Sequence, residues 1–363
     1  MEKLKRLLFL SGCKSISGLL AWIAFYAATV LNSCNPVREQ QIINQATDPE
    51  SPKQKIGIEG RDILVNGEPY VIKGICFNPV PKGSTERSFK NLDEHIHLLK
   101  EAGINTIRVY SPIIEEEVLN RFAEENIMVI IGFGYNQDGQ YDILSGTYAD
   151  YVEKFKGHPA ILMWELGNEF NYHPEWFDGE IKNWYQAMND AAKKIHEIDP
   201  LIPVTTAHGE LPDSLALAMG ESIDIWGMNV YRWDDPTDIF SEWASISDKP
   251  MYLSEAGGDS YMTISKMGYD EGENQRAQAD ANANILKSVF SNLEISAGVT
   301  LFAYSDELWK AENPEKYDIG GWAPNSSGVP YDGTPNEEYW GIVDVDLNKK
   351  MTFEVVKKYY TEN

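Results

Sequence analysis

From Lys73 onward the chain alternates between two hydrophobic patterns. Short, nearly continuous apolar runs fall near 73–77, 104–110, 127–133, 160–166, 202–206, 224–230, 250–255 and 298–304. Their length and content are those of strands buried on both faces. Between them lie stretches whose apolar residues recur every three or four positions, at 91–102, 115–125, 147–156, 180–197, 211–219, 237–245 and 271–293, with a last one at 352–360. In the first of these, Leu92, Ile96, Leu99 and Ala102 share one helical face. Strands separated by helix-length spacers predict a parallel sheet, and eight of them predict its closure. The expected fold class is α/β, a single (β/α)8 TIM barrel. Ahead of it, Ile63-Leu-Val65, Asn66-Gly67 and Tyr70-Val-Ile72 predict an N-terminal β-hairpin, because Asn-Gly supplies the left-handed residues of a two-residue turn.

The first residues follow a different pattern. Lys3, Lys5, Arg6 and Lys14 precede an apolar run from Leu19 to Leu31, which is short for a membrane span. Leu31-Asn-Ser-Cys34 resembles the bacterial lipoprotein cleavage box, with Asn32 an uncommon residue in it. Residues 1–33 are expected to be a lipoprotein-type signal peptide, 34–55 a polar, flexible tether, and 56–363 the barrel domain. Cys34 would then carry the lipid and be the attachment to a bacterial envelope membrane. A plain signal peptide or an uncleaved anchor is the other reading.

Composition narrows the partners. A formal net charge of −25 argues against nucleic acid and favours a neutral ligand over an acidic polymer. The 10 Trp and 19 Tyr exceed what a core needs and suggest rings lining a wet groove. With Cys34 set aside as lipidated, Cys76 is the thiol of the folded part, so no disulfide framework is expected there. Six scattered histidines give no metal-binding pattern, and neither a Gly-x-Ser-x-Gly elbow nor a dinucleotide fingerprint is present. No cofactor is expected, and a monomer is.

Chemistry gathers at the predicted strand ends. The fourth strand runs into Gly167-Asn168-Glu169, and the seventh, Met251-Tyr-Leu-Ser-Glu255, stops at a second carboxylate. A carboxylate at the end of a buried strand is costly unless it has a partner or a task. Other strand ends contribute Arg108 and Tyr110, His208, Asn229 and Tyr231, then Tyr304, Asp306 and Glu307. Each has a plainer reading: Arg108 as a structural ion pair, Tyr231 and Asn229 as barrel packing, His208 as a loop residue. Two long connections, 132–146 with Tyr135 and Tyr141 and 305–343 with Trp309, Trp322, Tyr331 and Trp340, are expected to wall an extended cleft.

Ile104-Asn-Thr-Ile-Arg108, Trp164-Glu-Leu-Gly-Asn-Glu169 and Ser254-Glu255 together resemble the retaining (β/α)8 glycoside hydrolases, over roughly residues 56–363. Within that clan they are similar to the catalytic barrel of glycoside hydrolase family 2. Ser305-Asp-Glu-Leu-Trp309 looks more like the β-1,3-glucan hydrolases and glucanosyltransferases. The resemblance implies Glu169 as general acid/base, Glu255 as nucleophile and Asn168 as a contact to the sugar 2-hydroxyl. Arg108 and Tyr231 are suited to hold Glu255 ionised, and His208, Asn229 and Trp309 complete the candidate substrate contacts. The expected activity is double-displacement hydrolysis of a neutral β-linked glucan or oligosaccharide, β-1,3-glucan first. A glucanosyltransferase or a non-catalytic surface glycan-binding protein are the alternatives.

Overall fold

The structure, a computed structural model, describes residues 55–135, 140–232, 235–311, 313–318 and 336–363. The expectations for residues 1–33 and for the tether up to residue 54 fall outside the described residues, as do those for Trp322 and Tyr331.

The chain begins with three antiparallel strands, β1 (Ile56–Glu59), β2 (Asp62–Val65) and β3 (Glu68–Tyr70). The Asn66-Gly67 turn joins β2 to β3 with φ of 53° and 91°, as the hairpin reading requires. The extra strand, β1, enters because Gly60, at φ 61°, turns the chain back onto β2. This sheet is fixed to the amino-terminal end of the strands that follow. Ile56 N–H donates to the Leu201 carbonyl (3.1 Å), the Tyr70 hydroxyl to the Asn105 carbonyl (2.9 Å), and Arg61 Nη1 to the Lys249 carbonyl (3.2 Å).

Seven parallel strands follow: β4 (Ile72–Cys76), β5 (Thr106–Val109), β6 (Met128–Phe133), β7 (Ile161–Asn168), β8 (Val204–Gly209), β9 (Ile225–Asn229) and β10 (Met251–Ala256). A two-stranded excursion, β11 (Tyr261–Met262) with β12 (Gly272–Glu273), precedes the last barrel strand, β13 (Ser296–Leu301). All eight barrel strands pair into a closed ring, β13 meeting β4 at Gly298 and Ile72. That seam needs glycine: Gly298 has φ of 123°, and a Cβ would stand 2.1 Å from the Ile72 carbonyl oxygen.

The helices are α1 (Leu92–Glu101), α2 (Glu116–Glu124), α3 (Tyr148–Phe155), α4 (Ile181–Ile198), α5 (Ser214–Met219), α6 (Asp238–Ile246), α7 (Gln275–Phe290) and α8 (Met351–Glu362). Asp213 and Asn274 cap α5 and α7 by accepting from the backbone N–H groups of Ala216 and Ala277. The helix expected from 271 starts only at Gln275, because Gly272 and Glu273 are spent pairing in β12. Apolar residues on both faces of the barrel strands are buried, from Ile107 and Ile130 to Trp164, Trp226 and Val299. Tyr135 and Tyr141, expected to wall a cleft, turn inward instead. Tyr135 packs edge-on against Phe177 (4.7 Å between ring centroids) and Tyr141 against Tyr151 (5.3 Å).

Candidate active site

Both candidate carboxylates sit where the regular strand pairing breaks. In β7 the register against β8 slips between Leu166 and Asn168, and Gly167 between them takes φ of 72°. A bulge of this kind re-aims the side chains at a strand end. Glycine is needed here twice over, since a Cβ would also lie 2.6 Å from the Trp184 ring. Glu169 follows in a left-handed conformation, φ 55°, its N–H donating to the Ala207 carbonyl (2.8 Å). In β10 the register against β9 slips between Leu253 and Glu255.

Arg108, on β5, holds the centre with no solvent exposure. Its five N–H groups are all spent inside the protein. Nε donates to the Glu165 carboxylate (2.9 Å) and Nη2 to Glu165 Oε1 (2.8 Å) and Asn168 Oδ1 (2.8 Å). Nη1 donates to Glu255 Oε1 (2.7 Å) and to the Ser254 carbonyl (3.3 Å). Burial alone would pull the guanidinium pKa down, but Glu165 and the other negative partners around it hold it above its ordinary value. Tyr252 steadies the far side by donating to Glu165 Oε2 (3.0 Å).

Glu255 is saturated with donors. Beside Arg108, the Tyr110 hydroxyl donates to Oε1 (2.8 Å) and the Tyr231 hydroxyl to Oε2 (2.8 Å). Burial, then neighbouring negative charge, pushes both phenols well above their usual pKa, so they stay protonated and keep donating.

Glu169 stands in the opposite environment. Its pKa is pushed up to about 7, first by burial, then by the charges of Glu255 and Glu337, against the pull of an Asn229 hydrogen bond and Arg108. A carboxyl that keeps its proton near neutrality, beside one held by three hydrogen-bond donors, is a division that acid-assisted displacement at a glycosidic carbon can use.

Amides bridge the two. Asn168 Oδ1 accepts from Arg108 Nη2 and from Asn229 Nδ2 (3.0 Å), and Asn229 Oδ1 accepts from Ser254 Oγ (2.7 Å). With its carbonyl doubly held, Asn168 has its NH2 group left to offer, with no partner among the described residues. Beside Tyr231 stands an apolar wall: the Trp340 ring meets Tyr231 edge-on at 5.5 Å and Phe302 at 5.5 Å.

Arg108, Asn168, Asn229, Tyr231, Glu169 and Glu255 are thus brought together. The other candidate residues have partners of their own. His208 is buried, its Nδ1 near the Glu210 carbonyl (3.0 Å) and its Nε2 near the Tyr185 hydroxyl (3.2 Å), and burial lowers its pKa. Both ring nitrogens are therefore engaged within the fold. Trp309 is half-buried on a short turn, its ring 5.8 Å from Lys310 Nζ. Asp306 is tied to Lys350 (2.9 Å) and Tyr317 (2.8 Å), and Tyr304 to His95 (2.9 Å). Cys76 is buried, and burial pushes its thiol up to about 12, as an inert core thiol requires.

Sequence reasoning did not assign Glu165, Tyr252 or the role of Tyr110. A charge inside the apolar run Ile161–Leu166 was the available signal, because a buried strand carboxylate needs a cation and Arg108 is the one in a barrel strand facing it. It also missed Tyr172 and Trp176, about half exposed on the turns directly after Glu169.

The chain with this closed (β/α)8 barrel and this pair of strand-end glutamates is similar to glycosidases of the family 2 type. It is 25% identical over 295 residues to a β-glucuronidase of Paenibacillus borealis, covering 69% of this chain and 45% of that protein. It is 19% identical over 382 residues to the β-galactosidase BoGH2A of Bacteroides ovatus, covering 90% and 43%. Among solved structures, a GH2 β-galacturonidase from Eisenbergiella tayi bound to galacturonate superposes with a TM-score of 0.65 at 21% identity, over 85% of this chain and 54% of that one. A β-glucuronidase of Dictyoglomus thermophilum gives 0.61 at 16%, over 85% and 54%. The chain spans less than half the length of these two curated relatives. No protein-family model matches it. The family 2 side of the resemblance is thereby supported; the β-1,3-glucan side finds no counterpart in these relatives.

Proposed function

We propose that the protein is a retaining glycoside hydrolase acting on β-glycosides. Glu255 attacks the anomeric carbon and forms a glycosyl ester, while Glu169 gives its proton to the departing oxygen. Glu169 then takes a proton from water, which displaces the sugar from Glu255. The observation that carries this reading is the contrast between the two carboxyls: three donors on Glu255, burial and negative neighbours around Glu169. Asn168 NH2 is placed to bond a sugar hydroxyl. Transfer to a sugar acceptor is the same chemistry and remains part of the proposal. A purely glycan-binding role gives no reason for three donors on one carboxylate. A neutral β-glucan is the narrower proposal. Its support is the net charge and, for the β-1,3 linkage, the Ser305–Trp309 segment. We further propose that Cys34 is lipidated and holds the protein at a bacterial envelope membrane.

The test uses aryl and alkyl β-glycosides. Glu255→Ala should lower kcat by on the order of a thousandfold or more. Glu169→Ala should cost roughly 10²–10⁴-fold with a poor leaving group, and far less with 2,4-dinitrophenolate, which leaves without a proton. Wild-type rates in Glu255→Ala would remove Glu255 from the mechanism.

A further inference from the structure

Lys310 is a further cation beside this pocket, and two carboxylates hold it. Lys310 Nζ lies 2.9 Å from Glu307 Oε2 and 3.0 Å from Glu337 Oε2, and 4.4 Å from the centroid of the Phe302 ring, in the apolar wall beside Tyr231. Asn78 Nδ2 fixes the other oxygen of Glu307 (3.0 Å). All three charged side chains are largely buried, between 7% and 14% exposed. Glu337 is near enough to Glu169 for its charge to act there.

Charge and donor accounting then follow. Arg108 has no N–H left, and it already serves two carboxylates. Lys310 is likewise outnumbered two to one. A sugar bearing a carboxylate would meet buried side chains among which negative groups outnumber positive ones, and charges between buried groups are weakly screened.

Resting on the glycosidase reading, we propose that Glu307 and Glu337 are specificity-determining residues that withhold Lys310 from substrate, so that the site discriminates against uronic acid glycosides and takes uncharged sugars. The relatives named for glucuronide or galacturonide share the barrel; this chain's site would differ from them in taking uncharged rather than anionic sugars.

The experiment compares matched 4-nitrophenyl β-glycosides: glucoside, glucuronide and glucuronide methyl ester, and the galacto series alike. The expected result is kcat/KM at least about tenfold lower for each free acid than for its uncharged counterparts, with the ester restoring turnover. Glu337→Gln and Glu307→Gln, each releasing one partner of Lys310, should raise the acid-to-ester ratio. That change of preference is one that a merely loosened fold would not produce. A free acid turned over as well as its ester overturns the inference while leaving the glycosidase reading intact. If neither variant moves the ratio, the assignment to Lys310 and its partners is wrong. Turnover of no glycoside in either series counts against the glycosidase reading, and this inference falls with it.

Discussion

At the scale of the residue, the site works by giving two identical side chains opposite surroundings. Arg108 bonds Glu255 directly, and its own burial is tolerable because Glu165 shares the charge. Burial and the charges of Glu255 and Glu337 hold the proton on Glu169 to about pH 7. The sign of the resulting pH dependence is fixed. A raised pKa means that the acid form is present below about 7 and lost above it. With substrates that need protonation, kcat/KM should therefore fall as pH rises through 7, approaching tenfold per unit. With a dinitrophenyl glycoside that limb should flatten, and a limb that persists unchanged would assign it to another group.

At the scale of the element, the bulge in β7 is what delivers Asn168 and Glu169 to the pocket. Gly167→Ala would force a Cβ into the left-handed region and against the Trp184 ring. It should cost about 2–3 kcal/mol in urea denaturation and lower kcat by moving both neighbours; an unaltered midpoint would show that the bulge is not needed. The eight strands and eight helices were legible in the sequence because both-face burial and helical periodicity are local patterns. The bulges were not, since register is decided between strands. Glu165 looked like an interruption of an apolar run until its distant partner Arg108 was in view. Tyr135 and Tyr141 read as cleft walls because a long loop is usually outward, and composition does not say which way a ring points.

At the scale of the whole molecule, the antiparallel sheet β1–β3 closes the barrel at the end opposite the glutamates. The proposed lipidation of Cys34 also belongs to this scale. The check is fractionation after expression in a bacterium: the native chain should sediment with membranes and require detergent, and Cys34→Ser should not carry lipid. Recovery of lipid on Cys34→Ser, or its absence from the native chain, would refute the assignment.

The donors around Glu255 also decide which atom does the bonding. Each carboxylate oxygen carries two in-plane lone pairs. Oε1 spends both, on Arg108 and Tyr110, whereas Oε2 spends one, on Tyr231. In the mechanism proposed above, attack therefore belongs to Oε2. Oε1 becomes the carbonyl of the resulting ester, already clamped by a permanent cation and a phenol that draw electrons from the new C–O linkage and ready it for rupture by water.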